Sequence, residues 1–199
     1  MSSTECKTLV KDALDQLVTE INENSYEDMN EATIQHHLAL NIHLLAIEKS
    51  IDIKMTLEKR VFLKGGKISD IDVFLKQRDG TRCAIELKFF KRENSREPNN
   101  RYDAYIDIGS LELYLEAFSD IGFFVLLTDH PHYYDPNFKE LSARTSDFSL
   151  RNGVQTQTGV DLCYRTKTPH GPPITLKKSY RLIWENLDET WKLLFIIVE

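Results

Sequence analysis

Charged residues interrupt two short apolar segments at positions where an ordinary core strand would carry aliphatic side chains. Asp72 stands within the segment 68–75, and Glu86 and Lys88 stand within the segment 82–89. Burying a carboxylate costs free energy unless a cation or a set of hydrogen-bond donors compensates it. Two carboxylates and a lysine on two adjacent strands therefore suggest a metal site.

The turn between the two segments decides whether these residues meet. A three-residue loop over 78–80, with Gly80 in the left-handed conformation, pairs Gln77 with Thr81 and places Asp72 opposite Glu86 on one face. A two-residue Asp-Gly turn instead shifts the register by one and sends the two carboxylates to opposite faces. We favour the longer loop because it gathers four apolar residues on one face. These residues are Ile71, Val73, Ile85 and Leu87.

Composition indicates a soluble protein that folds as a single domain over 1–199. Of its 199 residues 41% are hydrophobic and 28% charged, and the formal charge of −6 gives no general attraction to nucleic acid or to anionic membranes. A local basic rim can still bind nucleic acid. Three scattered cysteines without CxxC spacing favour a reduced, cytoplasmic protein without structural zinc, and no apolar run is long enough for a membrane span.

The hydrophobic pattern predicts an α/β fold with a mixed central sheet flanked by helices. Helical spacing is visible in 4–22, 31–48 and 102–118, and the patterns of strands in 53–63, 68–75, 82–89 and 122–128. A hairpin followed by a helical crossover to a buried strand implies a sheet with both parallel and antiparallel pairs. The core is expected over about 28–130, with the helix 4–22 before it and a β-rich C-terminal extension over 131–199.

The Asp, the Glu-x-Lys and the order of elements resemble the PD-(D/E)xK nuclease superfamily, which has the restriction-endonuclease-like fold. The resemblance covers about half of the chain and implies a Mg²⁺ site, in which Mn²⁺ may substitute, held by Asp72, Glu86 and the Leu87 carbonyl. Lys88 would position the attacking water, and Glu31 matches an acidic residue on the helix before the sheet. The proline that often precedes the Asp is missing here.

Several of these residues also have simpler interpretations. Asp72, Glu86 and Lys88 could form a cross-strand charge cluster on a solvated face, and Glu31 could serve only the electrostatics of its helix terminus. Asp70 would stand opposite Lys88, as an extra ligand, a partner for the lysine or a plain strand-edge charge.

Two further regions have undecided roles. The third predicted helix often brings a glutamine or basic residue to such a site, whereas here its polar stripe consists of Asp103, Asp107 and Ser110, so its role is left open. Four basic residues near the motif either bind nucleic acid or belong to a solvated loop. They are Lys91, Arg92, Arg96 and Arg101.

The resulting hypothesis is a Mg²⁺-dependent endonuclease that hydrolyses nucleic acid, with DNA favoured over RNA, in restriction or defence, repair or recombination. A homodimer would suit such an enzyme, because cutting two strands with one site per chain favours a two-fold pair. The alternative is a catalytically inactive binding protein with the same fold. A metal hydrolase acting on small phosphates is a third hypothesis.

Overall fold

The computed structural model describes residues 3–23, 26, 29–63, 66, 68–93 and 96–199. The first half of the chain contributes two helices and three strands. They are α1 (Ser3–Asn22), α2 (Glu31–Glu48), β1 (Ile53–Phe62), β2 (Ile68–Gln77) and β3 (Arg82–Phe90). The second half contributes α3 (Glu97–Ala117), β4 (Ile121–Thr128), the short α4 (Pro131–Tyr134), a 3₁₀ turn (Ser146–Phe148), β5 (Trp184–Asn186) and β6 (Lys192–Val198).

The strands form one mixed six-stranded sheet in the order β1-β2-β3-β4-β6-β5. Strands β3 and β4 run parallel, and every other neighbouring pair is antiparallel. The α3 crossover joins the parallel pair, as the hairpin-then-helix order predicts. The predicted α/β class with a mixed sheet and flanking helices is confirmed.

Each face of the sheet has its own apolar core. One core packs α1 and α2 against β2 and β3 through residues such as Leu17, Ile34 and Ile85. The other packs α3 and the chain after β4 against the opposite face, through residues such as Tyr105 and Phe124. Strand β4 is buried at all eight positions, which confirms the two-sided burial that its continuous apolar run predicts.

Two sequence predictions about element boundaries need correction. Helix α3 begins at Glu97, five residues before the predicted start at Tyr102, because Pro98 occupies its first turn, where a missing N–H is tolerated. The extension 131–199 is less β-rich than predicted. Only β5 and β6 join the sheet, and isolated bridges, such as that between Leu162 and Ile174, connect the segments between α4 and β5.

A disulfide joins Cys6 of α1 to Cys83 of β3, whose Cα atoms are 7.3 Å apart. The expectation of reduced cysteines is therefore wrong for this pair, whereas Cys163 is free. The two paired cysteines are 77 residues apart in sequence, so no local spacing could have indicated their contact.

Across the described part of the chain, none of the helices combines the length and the apolar composition needed to span a membrane.

Candidate metal centre at the end of the β2–β3 ladder

The β2–β3 hairpin has the predicted three-residue loop. The Gln77 N–H donates to the Thr81 carbonyl over 2.8 Å, and Gly80 has a φ of +97°, in the region that favours glycine. The paired rows run from Lys76 opposite Arg82 to Val73 opposite Ile85. Continuing this register by one residue brings Asp72 opposite Glu86, as the sequence predicts.

The two strands separate beyond the Val73–Ile85 row, and carboxylates take over the freed backbone donors of β3. The Leu87 N–H donates to Asp72 Oδ2 over 2.6 Å. Two residues on, the Phe89 N–H donates to Glu31 Oε2 over 3.2 Å. In this register, both N–H groups point toward β2 and would otherwise lack a partner. The opened ladder therefore holds the Asp72 and Glu31 side chains beside β3.

The Lys88 ammonium lies in the same opening and contacts three oxygen atoms. Its Nζ is 2.8 Å from Asp107 Oδ2, 3.8 Å from Glu31 Oε1 and 3.2 Å from the Leu87 carbonyl oxygen. Asp107 belongs to α3, so this helix does contribute a group to the site. Of the α3 polar stripe, Asp107 is therefore the residue that contacts Lys88.

Glu86 is almost completely buried, with 4% of its surface exposed, and its Oε1 has no hydrogen-bond partner. The Tyr114 hydroxyl interacts with the Glu86 carboxylate and lies 2.7 Å from Ser69 Oγ. A buried carboxylate oxygen without a donor is costly when ionised, so this oxygen is a candidate ligand for a cation.

Burial raises the pKa values of all four carboxyl groups around Lys88. The pKa of Asp107 rises to about 7, and the Lys88 charge only partly opposes this. Burial, together with the charges of Asp107 and Asp72, raises the pKa of Glu86 well above its ordinary value. Burial is also the main cause of the raised pKa values of Asp72 and Glu31. Burial and the mutual repulsion of the carboxylates therefore favour the protonated forms of these groups over full ionisation.

The pKa of Lys88 is raised although its burial alone would lower it, because the charges of Asp107 and Glu31 stabilise the ammonium. The lysine therefore stays protonated at neutral pH and donates hydrogen bonds. It does not have the depressed pKa that a lysine needs to act as a base.

The residues fit a divalent cation of the Mg²⁺ type. Among the described residues, no group of three or more His, Cys, Asp and Glu side chains is arranged to hold a metal ion. Mg²⁺, however, is usually bound by only one or two carboxylates and keeps several waters. Asp72, Glu86 and the Leu87 carbonyl meet that requirement in number and type, and Glu86 Oε1 has no hydrogen-bond partner.

Two other predicted neighbours lie elsewhere. Asp70 forms a two-contact ion pair with Arg60 of β1, with a shortest distance of 3.0 Å, so it acts as a strand-edge charge and is not a partner for Lys88. Ile71 is buried with the α3-side core, whereas Val73 belongs to the opposite core. The predicted common face therefore holds for Val73, Ile85 and Leu87 but not for Ile71.

The four basic residues differ in their surroundings. Arg92 and Arg96 are exposed, and Lys91 pairs with Glu93 at 3.4 Å. Arg101 is 1% exposed, and its guanidinium donates to Thr145 and to backbone carbonyls of the C-terminal extension. Arg101 therefore does not belong to a solvent-exposed basic rim, because α3 starts early enough to turn it inward.

A cavity of about 510 Å³ lies near the C-terminal end of β3, where Lys91 lines it. Its lining combines aromatic, cationic and acidic side chains. The lining residues are Tyr26, Met29, Lys91, Arg92, Glu93, Asp129 and Trp191. The candidate metal centre lies at the opened ladder and not in this cavity.

No family model matches the chain, and no curated protein matches it. Among solved structures, the chain is similar to the crystal structure of SSO0001, with 18% sequence identity and a TM-score of 0.20. The match covers 60% of this chain and 61% of that one. A likeness at this TM-score carries no argument about fold or function.

Proposed function

We propose that this protein is a Mg²⁺-dependent endonuclease with a restriction-endonuclease-like core. The observation that carries the proposal is the buried Glu86 carboxylate, which has an unpartnered oxygen and stands opposite Asp72 where the β2–β3 ladder opens. The resemblance of Asp72, Glu86-Leu87-Lys88 and the order of elements to the PD-(D/E)xK nucleases supports the same reaction.

The chain's own residues have distinct tasks in this proposal. Asp72 and Glu86, with the Leu87 carbonyl, would hold the cation, which when bound lowers the pKa of a water and stabilises negative charge on the phosphate. The Leu87 N–H fixes the Asp72 carboxylate through the 2.6 Å hydrogen bond. Burial of Glu86 keeps competing water from its oxygens.

Lys88 would orient the attacking water or a phosphate oxygen by donating a hydrogen bond. Because its pKa is raised, Lys88 is present as the ammonium and cannot accept the proton of the water, which must pass to another acceptor. Asp107 and Glu31 hold the ammonium in place, at 2.8 Å and 3.8 Å. These two carboxylates are positioning residues for Lys88.

Nucleic acid is the proposed substrate, with DNA favoured over RNA. The exposed Arg92 and Arg96 stand between β3 and α3, just after the strand that carries Lys88. Cations at such positions attract phosphates without reading sequence. A two-fold dimer would supply one site for each strand of a duplex.

The test is cleavage of supercoiled DNA, linear DNA and single-stranded RNA in the presence of Mg²⁺, compared with EDTA. Glu86→Gln and Lys88→Met should each abolish product formation, and Asp70→Asn is the matched control because Asp70 binds Arg60 on the edge of the site. Cleavage that persists unchanged in both site variants would refute the assigned site. Absence of both cleavage and Mg²⁺ binding in the wild-type chain would favour a non-catalytic binding protein.

A further inference from the structure

Strand β2 changes face at Asp72. Residues two apart on a regular strand share a face, yet Ile71 and Val73 are buried in opposite cores. The hydrogen-bonded rows with β3 also stop at this point. Asp72 therefore sits at a local twist in β2, and this twist opens the ladder into which its carboxylate projects.

The neighbouring strand β1 has an unusual backbone at the same level. Leu57 pairs with Val73 and Lys59 pairs with Ile71, which leaves Glu58 opposite Asp72. Glu58 has a φ of +50°, in the left-handed region that residues other than glycine rarely adopt. Such a conformation in mid-strand persists only when surrounding contacts hold it.

Gln35 of α2 supplies contacts to both strands at this level. Its Nε2 donates to Glu58 Oε1 over 2.7 Å and to the Asp72 carbonyl oxygen over 2.8 Å. One amide nitrogen has two N–H groups, so both hydrogen bonds can form together. A single side chain thus ties the left-handed residue of β1 to the twisted residue of β2.

We infer that Gln35 and Glu58 form a clamp that positions the Asp72 carboxylate over the Leu87 N–H and toward the metal centre. The clamp acts on the backbone of Asp72 and makes no contact with substrate, so both residues are positioning residues. Its effect on metal affinity rests on the proposed function, but its effect on the Asp72–Leu87 hydrogen bond does not.

An effect of charge would have a different signature from a clamp. Glu58 is close enough for its charge to contribute to the raised pKa values of Asp72 and Glu31. If Glu58 acts by charge, Glu58→Gln and Glu58→Ala should have the same effect. If it acts as a clamp, Glu58→Gln retains an acceptor for Gln35 and should behave like the wild-type chain.

The experiment measures amide hydrogen exchange at Leu87 by NMR in the metal-free, full-length protein. Gln35→Ala and Glu58→Ala should accelerate exchange at Leu87 while leaving Val125 in the buried strand β4 unchanged, and Glu58→Gln should restore the wild-type rate. Glu58→Gly should accelerate exchange at Leu87 without lowering the melting temperature, because glycine accepts the left-handed conformation. Unchanged exchange at Leu87 in Gln35→Ala would overturn the clamp.

Calorimetric titration of the same variants with Mn²⁺ separates the two proposals. Gln35→Ala and Glu58→Ala should weaken Mn²⁺ binding about 10- to 100-fold, as expected for residues that orient a ligand. Glu185→Ala, which removes an exposed charge from β5, is the control and should bind like the wild-type chain. If Gln35→Ala binds Mn²⁺ with wild-type affinity, the clamp is refuted and the metal centre is not. If the wild-type chain does not bind Mn²⁺, the metal centre is refuted, and the exchange measurement alone tests the clamp.

Discussion

The Leu87 N–H donates to Asp72 Oδ2 over 2.6 Å at the point where the ladder between β2 and β3 ends. A carboxylate here replaces the strand partner that the N–H group would otherwise have. The same opening exposes the Leu87 carbonyl to Lys88 and leaves a Glu86 oxygen without a donor. The site is thus a gap in a β-sheet that is filled with charged side chains.

Glu86→Gln should make the metal-free protein more stable. Burial and the nearby charges of Asp107 and Asp72 raise the pKa of Glu86, so its ionised form opposes folding at pH 8. The neutral isostere should raise the free energy of unfolding by about 1 kcal/mol, a typical gain for a stabilising substitution. Urea unfolding in EDTA at pH 8 measures this effect, and the gain should shrink as the pH is lowered to 4, because Glu86 is then protonated in the folded protein and largely protonated in the unfolded chain as well. A loss of stability at pH 8 would contradict the account.

Lys88 and Asp107 should be energetically coupled. Removing the ammonium by Lys88→Met leaves the buried Asp107 carboxylate without its 2.8 Å partner. Adding Asp107→Asn should recover part of the lost stability, with a coupling energy of about 1–3 kcal/mol. A double-mutant cycle in urea at pH 8 measures it. Strict additivity would show that the ion pair contributes nothing.

Arg92 and Arg96 should affect nucleic-acid binding, whereas Arg101 should affect folding. Replacing either exposed arginine by alanine should reduce the slope of log affinity against log salt by about 1. Arg101→Met should lower the free energy of unfolding by about 3 kcal/mol, because a charged donor to Thr145 and Phe148 is lost. Binding in filter or fluorescence assays at several salt concentrations, with urea unfolding, separates the two classes. A changed slope in folded Arg101→Met would contradict this division.

His132 should make the protein less stable at mildly acidic pH. Burial, followed by the charge of Arg101, lowers its pKa from 6.5 to about 4. Between these two pH values the unfolded chain binds more protons at His132 than the folded protein does. The free energy of unfolding is therefore highest above about pH 6.5 and decreases as the pH falls toward 4. His132→Phe should reduce the difference between the unfolding free energies at pH 7.5 and pH 5. An unchanged difference would show that His132 does not titrate in this way.

The part of the site that could be predicted from sequence is the part encoded locally. The turn residues Arg78-Asp79-Gly80 set the loop length, and the two-residue period of the strands then placed Asp72 opposite Glu86. This inference uses residues close together in sequence, whereas Glu31 was identified through the resemblance to the nuclease superfamily.

The remaining features depend on packing between distant segments. Asp107 was visible on the α3 polar stripe, but its contact with Lys88 depends on how the helix is rotated against the sheet. Arg101 was predicted to be an exposed loop cation, because its burial depends on Thr145, which lies 44 residues later in the sequence. The left-handed backbone of Glu58 could not be predicted, because no glycine marks the position. Its side chain accepts a hydrogen bond from Gln35, which belongs to another element.

Crystals soaked in Mn²⁺ and measured at the manganese absorption edge test the metal centre most directly. An anomalous peak is expected between Asp72 and Glu86, within reach of the Leu87 carbonyl, and it should be missing in crystals of Glu86→Gln. No anomalous peak at the opened ladder, or an equal peak in the Glu86→Gln crystals, would contradict it.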